Sequence, residues 1–272
     1  MQKLLRELKS FYKQEGRGHL PWRQFDRSLP AGRQAYKILV SEIMLQQTQV
    51  ERVVPFYNRF IKKYPTSRAL SRAKFSDVLR VWNGLGYNRR AKYLHQAAKI
   101  IAKKRFPRMT GEIEEFPGVG HYTARAVAAF AFNKPEIFVE TNIRTVLFHS
   151  HVLKKAKISD KELLPLVEEL LKRSKMEPRD FYAAMMDYGA YLKKQGITLN
   201  RKSKQYVKQS EFEGSARQLR GAILRELLVH RATLSTLVHR IPRNQQDVAH
   251  ELTRLAAEGL VRLRGKLFSI AN

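Results

Sequence analysis

Apolar residues recur at three- and four-residue spacing along most of the chain, and that period predicts helices over 35–60, 75–82, 91–104, 123–132, 142–153, 161–173 and 180–193. Gly and Pro punctuate these stretches, at Pro55, Pro65, Gly84, Gly86, Pro107, Pro117, Gly118, Pro135, Pro178 and Gly196. The opening segment, Met1 to Lys13, reads as a basic amphipathic helix. Short helices joined by tight turns predict an all-α domain over residues 1–195, with no repeat of roughly 20–50 residues. The period then lapses. Residues 196–214 are polar and basic, with Asn200, Arg201, Lys202, Lys204 and Lys208, and read as a linker. Beyond them, helical periods over 216–230, 234–240 and 247–258 precede an alternating stretch, 260–270, with Arg264 and Gly265 at its tip. Three helices and a hairpin outline a small winged-helix-like domain over 215–272. Arg262, Arg264 and Lys266 on the wing point to DNA, and a helical protein–protein module is the alternative.

Charge changes this picture most. The 272 residues carry 52 Lys and Arg against 24 Asp and Glu, a formal net charge of +28. An excess of that size predicts a polyanionic partner, nucleic acid first and an anionic membrane surface second. There is no cysteine, which excludes disulfides, thiolate metal sites, iron–sulfur clusters and cysteine nucleophiles. The longest wholly apolar run, Ala126 to Phe132, falls far short of the roughly 20 residues of a membrane span. No secretory signal is visible at the N-terminus. The expectation is a soluble protein, cytoplasmic and associated with the nucleoid or otherwise intracellular with DNA, that does not bind a membrane.

The sharpest segment is Phe116-Pro-Gly-Val-Gly-His-Tyr-Thr-Ala124, between an acidic turn (Glu112, Glu114, Glu115) and an Ala-rich helix. Pro117 ends one helix, and Gly118 and Gly120 allow backbone angles and approaches that a side chain would obstruct. The amides around Gly118, Val119 and Gly120 then lie at the start of the next helix, with His121 and Thr123, where a phosphate oxygen can be bound without a basic side chain. This is a helix-hairpin-helix pattern, which grips the DNA backbone and is indifferent to base sequence.

The hairpin resembles that of the helix-hairpin-helix DNA glycosylases, the superfamily of endonuclease III and the MutY-type adenine glycosylases. The likeness extends to Leu20-Pro-Trp-Arg23, to Tyr36-Lys-Ile-Leu-Val-Ser-Glu-Ile-Met-Leu-Gln-Gln-Thr-Gln-Val50, to Trp82-Asn-Gly-Leu-Gly-Tyr87 and to Met186-Asp-Tyr-Gly-Ala190, in the family's order, and is closer to MutY than to endonuclease III. It implies two helical subdomains flanking a cleft, and double-stranded DNA containing a mispair or lesion as partner of a monomer. Two elements of a standard MutY do not appear. No cysteines follow Ala190, where the cluster loop would supply four, so no cofactor is expected. Residues 215–272 also do not resemble the family's nucleotide-hydrolase-shaped reader of 8-oxoguanine.

Cleaving an N-glycosidic bond needs an acid for the departing base and a negative group for the oxocarbenium ion. Two carboxylates serve if their surroundings push their pKa values apart. Glu42 lies among Ile38, Leu39, Val40, Ile43, Met44 and Leu45, where desolvation would keep it protonated, and the resemblance gives it the proton for the adenine ring. Glu140, in Ile137-Phe-Val-Glu-Thr-Asn-Ile-Arg144, stands where the family has Asp, and Thr141 where it has Gly; Asn142 matches the family's Asn. The resemblance makes Glu140 the nucleophile or cation stabiliser, while a helix N-terminal acid with no catalytic role is the alternative. Tyr122 replaces the Schiff-base lysine of endonuclease III, which implies a monofunctional glycosylase. Gln47 and Tyr87 match residues that probe the opened duplex. Leu20, Trp22 and Asp187 match base-pocket walls, and Arg89 and Arg90 suit phosphates. Adenine opposite 8-oxoguanine or guanine is the leading substrate; a mismatch thymine or uracil glycosylase, and a catalytically silent DNA-binding protein, are the alternatives.

Overall fold

The computed structural model of the chain describes residues 1–26, 28–150, 157–206 and 211–272; Leu153 of the expected 142–153 helix and Lys208 of the expected linker lie outside them. The helices run α1 (Gln2–Glu15), α2 (Ala31–Leu45), α3 (Val50–Lys63), α4 (Ser67–Ser71), α5 (Phe75–Trp82), α6 (Arg89–Lys104) and α7 (Thr110–Glu114). They continue with α8 (His121–Phe132), α9 (Thr141–His149), α10 (Asp160–Ser174), α11 (Pro178–Lys194), α12 (Ala216–Val229), α13 (Leu234–Arg240) and α14 (Gln245–Ala257), followed by strands β1 (Val261–Arg264) and β2 (Leu267–Ile270). The all-α expectation holds, with this short C-terminal sheet. The single period expected over 35–60 divides into α2 and α3, separated by residues 46–49, where Gln47 takes a left-handed φ of 56°. Among the described residues no helix is long and apolar enough to cross a membrane.

The residues gather into two compact units. The first comprises Met1–Glu42, Pro107–Glu115 and Val119–Lys208. Helix α1 turns Leu4, Leu5 and Leu8 inward and leaves Lys3, Lys9 and Lys13 exposed, the amphipathic pattern its sequence dictates. Helix α11 is the central element, packed along α1, α8 and α9. Pro178 starts it, where a missing amide hydrogen costs nothing. Phe138, Phe148, Phe181 and Tyr182 fill the core, Phe138 stacked on Tyr182 at 3.9 Å. Each such buried ring stabilises the fold by about 1.5–3 kcal/mol. At Gly189 a Cβ would lie 2.3 Å from the Asn142 carbonyl oxygen, so the absent side chain lets α11 touch the first turn of α9. Residues past α11 are pinned as well. Ser203 forms a parallel bridge to Ile158, and the Asn200 amide donates to Thr145 Oγ1 at 3.1 Å.

The second unit comprises Ile43–Phe106, Phe116–Gly118 and Gln209–Asn272. Trp82, fully buried, meets Phe60 edge-on at 5.9 Å and donates from Nε1 to the Gly86 carbonyl at 3.1 Å, which fixes the turn after α5. In the C-terminal part α14 packs on α12 and α13, and α12 also touches β2 and α5. Arg220 ties α12 to Glu251 at 2.7 Å and to Glu258. The strands pair antiparallel, Val261 opposite Ile270 and Arg264 opposite Leu267, around a turn in which Gly265 has φ 60°. Ala232 adds an antiparallel bridge to Phe268. The Ser76 amide donates to Asn272 Oδ1 at 2.9 Å, and Lys92 Nζ to the Glu258 carbonyl at 2.5 Å.

Candidate active site

Helix α2 exists because Ala35, Tyr36, Ile38, Leu39, Val40, Ile43 and Met44 all bury their side chains. Glu42 is carried into that setting and is only 7% exposed. Burial pushes its carboxyl up to about 7, and the nearby charge of Glu140 acts in the same direction. The Tyr122 hydroxyl, donating to Glu42 Oε2 at 3.4 Å, opposes this only in part.

Glu140 has different surroundings. It is the N-cap of α9, and Oε1 accepts from the backbone amides of Asn142 at 2.6 Å and Ile143 at 2.8 Å. These are the second and third amides of the helix, which an N-cap side chain serves. The Asn142 Nδ2 donates to Oε2 at 3.3 Å. Burial raises the Glu140 carboxyl above its ordinary value, while the two amides and the charges of Lys193 and Arg144 pull it back. Burial raises both acids; against it Glu140 has two helix amides and the charges of Lys193 and Arg144, and Glu42 has the Tyr122 hydroxyl and the charge of Arg23. The Glu140 backbone is extended (φ −134°, ψ 179°), as N-cap residues usually are. Nothing in the structure explains Thr141.

Tyr122, on the first turn of α8, bonds Glu42: burial and the charges of Glu42 and Glu140 hold its hydroxyl well above the ordinary value, so it remains a donor. Its ring packs edge-on against Phe138 at 5.6 Å. The turn before α8 has Gly118 at φ 76°, where a Cβ would lie 2.7 Å from Tyr93 Cδ2, so this position requires glycine. Gly120, the N-cap of α8, provides no side-chain cap, and the space where its Cβ would point is open. His121 is exposed, whereas Val119 and Thr123 bury their side chains (6% and 3% exposed) and can offer a ligand only their backbone.

Two expected site residues have other roles. Asp187 was expected in the wall of a base pocket, but its side chain is inaccessible. It accepts from Arg17 Nε at 2.6 Å, the Arg17 amide at 2.8 Å, and Arg23 Nη1 and Nη2 at 2.6 and 2.9 Å. Burial alone would raise this carboxyl; the Arg23 hydrogen bonds and the two guanidinium charges outweigh it and hold it below its usual range. Asp187 thus anchors the 17–23 segment that presents Trp22, and Leu20 of that segment is buried. Asp187→Ala leaves two cations without a partner. We expect it to cost about 3–5 kcal/mol of stability, measured by urea unfolding, as for other broken buried pairs.

Arg90 was expected to face phosphate, but it is 7% exposed. Nη1 donates to the carbonyls of Ile43 (3.1 Å), Met44 (2.8 Å) and Gln46, and Nη2 donates to Thr48 Oγ1 and the Gly86 carbonyl, both at 3.1 Å. One guanidinium braces the loop of Gln47 and the turn of Tyr87 together. Both residues have left-handed backbones, at φ 56° and 49°. Gln47 is exposed. The Tyr87 ring lies 5.0 Å from the Arg90 guanidinium and 5.6 Å from that of Arg217, whose Nη1 donates to the Tyr87 hydroxyl at 2.7 Å. Arg89 is exposed. The sequence reading missed Lys193, whose Nζ donates to Asn142 Oδ1 at 2.7 Å; a lysine one turn after Gly189 on α11 gave no signal of its own. A thiolate-held cluster does not fit this chain, because α11 ends on Lys193 and Lys194 and there is no cysteine donor. Among the described residues no group of three His, Asp or Glu side chains could hold a metal ion.

Residues 40–178 match the family model described as HhH-GPD superfamily base excision DNA repair protein. Relatives include the adenine DNA glycosylase of Mycolicibacterium smegmatis, 42% identical over 188 residues, which cover 68% of this chain and 61% of that protein. The adenine DNA glycosylase of Homo sapiens is 35% identical over 191 residues, covering 67% and 34%. The chain therefore spans less than two thirds of these relatives. Of solved structures, a thermostable thymine-DNA glycosylase aligns with TM-score 0.57 and 27% identity over 70% of this chain and 85% of that one. A non-covalent endonuclease III–DNA complex aligns at 0.51 and 18%, over 70% and 83%, a likeness of fold.

Proposed function

This chain belongs to the HhH-GPD superfamily of base excision DNA repair proteins, and from that premise we propose that it is a monofunctional DNA N-glycosylase. It hydrolyses the bond between deoxyribose and a mispaired base flipped out of double-stranded DNA, and the base is adenine opposite 8-oxoguanine or guanine. The observation that carries this reading is the pair of acids, buried Glu42 accepting from the Tyr122 hydroxyl at 3.4 Å and Glu140 held at the N-cap of α9 by the amides of Asn142 and Ile143. Glu42 gives its proton to the departing base, which leaves as a neutral molecule. Glu140 stabilises the positive sugar until water adds to the anomeric carbon and passes its proton to the Glu42 carboxylate, which is thereby restored. Tyr122 and Asn142 hold the two carboxylates in place. Tyr122 also puts a phenol where an amine would attack the sugar, so borohydride is expected to trap no covalent adduct.

DNA binding fits the same reading. The uncapped amides at the start of α8, with the Gly118–Gly120 turn and exposed His121, take a phosphate. Gln47 and Tyr87, held in strained backbones by Arg90, enter the gap left by the extruded base. Arg89 takes a further phosphate, Trp22 lines the base pocket, and the wing with Arg262, Arg264 and Lys266 adds a second contact to the duplex. The protein acts as a monomer, on DNA inside the cell. A second substrate, thymine or uracil in a mispair with guanine, is favoured by the likeness to a thymine-DNA glycosylase.

The test is single-turnover base release from duplexes carrying A opposite 8-oxoguanine, A·G, T·G and U·G. Release from the first two supports adenine, release confined to the others supports the pyrimidine reading, and tight binding without release overturns the enzyme reading. The pH dependence has a worked sign. Glu42 must be protonated, so the rate falls as pH rises through about 7; Glu140 must be ionised, so it falls again as pH drops through that group's raised value. A bell-shaped profile is expected, and in Glu42→Gln its alkaline limb disappears.

A further inference from the structure

Helix α11 brings an ammonium group to the back of the Glu140 site. Lys193 lies one turn beyond Gly189, whose missing Cβ lets α11 touch the Asn142 backbone. From there Nζ donates to Asn142 Oδ1 at 2.7 Å, and Asn142 Nδ2 donates to Glu140 Oε2 at 3.3 Å. We propose that Lys193 is a positioning residue for the glycosidic cleavage: it fixes the direction of the Asn142 amide and provides the counter-charge of Glu140.

An ammonium only donates, so of the two ends of the Asn142 amide only the oxygen can pair with it, and the NH₂ is turned toward the carboxylate. With Lys193 gone, the amide keeps only its 3.3 Å bond to Glu140 to fix its direction. Two cations act on Glu140, Lys193 from α11 and Arg144 from its own helix. Arg144 is matched by Asp160, with Nε–Oδ1 and Nη2–Oδ2 both 2.7 Å. On the remaining side burial raises both the Glu42 carboxyl of α2, which Arg23 opposes, and the Tyr122 hydroxyl of α8. Lys193 is therefore the charge that balances Glu140 among the described residues. It is half-buried, as a counter-ion must be to act undiluted by water.

The proposal rests on the glycosylase reading, and the experiment separates the two. Full-length wild type, Lys193→Met and Lys193→Arg are compared in single-turnover base release across pH and in carboxylate ¹³C NMR, with the Glu140 signal assigned by Glu140→Gln. In Lys193→Met the Glu140 titration and the acidic limb of the rate profile should both move up by about one pH unit, the usual effect of removing an adjacent cation. Below that limb the rate should drop about tenfold, and Lys193→Arg should restore most of it. Loss of base release by the wild type on every duplex overturns the glycosylase reading, and the NMR titration still tests the counter-charge. A Glu140 titration unchanged in Lys193→Met overturns the positioning role. So does a borohydride-trapped adduct that vanishes in that variant, because Lys193 would then be a nucleophile.

Discussion

Glu42→Gln should cut base release severely while leaving DNA binding nearly intact. A positioned general acid contributes about 10²–10⁴-fold, and Glu42 has the surroundings to deliver the upper part of that range. It is buried, and its carboxyl is raised to about 7, so near neutral pH it is substantially protonated while remaining acidic enough to yield the proton. Gln keeps the size and can still accept the hydrogen bond from Tyr122, but it has no proton to transfer. A fall of about 10³-fold or more in the single-turnover rate is expected, with the dissociation constant for the same duplex changed less than about threefold. Parallel losses in rate and binding would instead mean that Glu42 supports the fold of α2.

Glu140→Gln should be the second severe defect, and it separates charge from structure. The Gln oxygen can still accept the amides of Asn142 and Ile143, so α9 keeps its cap, while the Gln NH₂ loses the bond from Asn142 Nδ2, at a cost of about 1 kcal/mol in thermal unfolding. What disappears is the negative charge facing the cationic sugar. Removing one preorganised electrostatic partner of a transition state costs about 10²–10³-fold in rate. Glu140→Asp keeps charge and cap with a shorter reach, so it should fall between wild type and Gln. A Glu140→Gln enzyme with full activity would reduce Glu140 to a helix cap.

The sequence made much of this legible because the relevant physics is local. An acid surrounded by Ile38, Leu39, Val40, Ile43 and Met44 on a helical period has little choice but burial, and Pro117-Gly-Val-Gly120 before an Ala-rich period specifies a turn and a fresh helix start. What escaped the sequence depends on partners far along the chain. Asp187 reads as a polar residue on α11 until Arg17 and Arg23 arrive from 170 and 164 residues away. Arg90 sits in a basic run that suggests phosphate, and only the fold brings it to the carbonyls that end α2. The break between α2 and α3 has no glycine or proline to mark it, since Gln46–Gln49 is polar and Gln47 pays for its left-handed backbone with tertiary contacts nearby. Lys193 acquires meaning only through the close contact at Gly189.

The central claim is that an anion at Glu140 faces a cation forming on the extruded sugar. The most direct measurement is the affinity of the full chain for a duplex holding a cationic pyrrolidine abasic analogue at the extruded position, against one holding the neutral tetrahydrofuran analogue. A site complementary to the transition state should bind the cationic form at least about 100-fold more tightly, and that preference should collapse in Glu140→Gln. Equal affinity for the two analogues, or a preference that survives Glu140→Gln, would contradict the account.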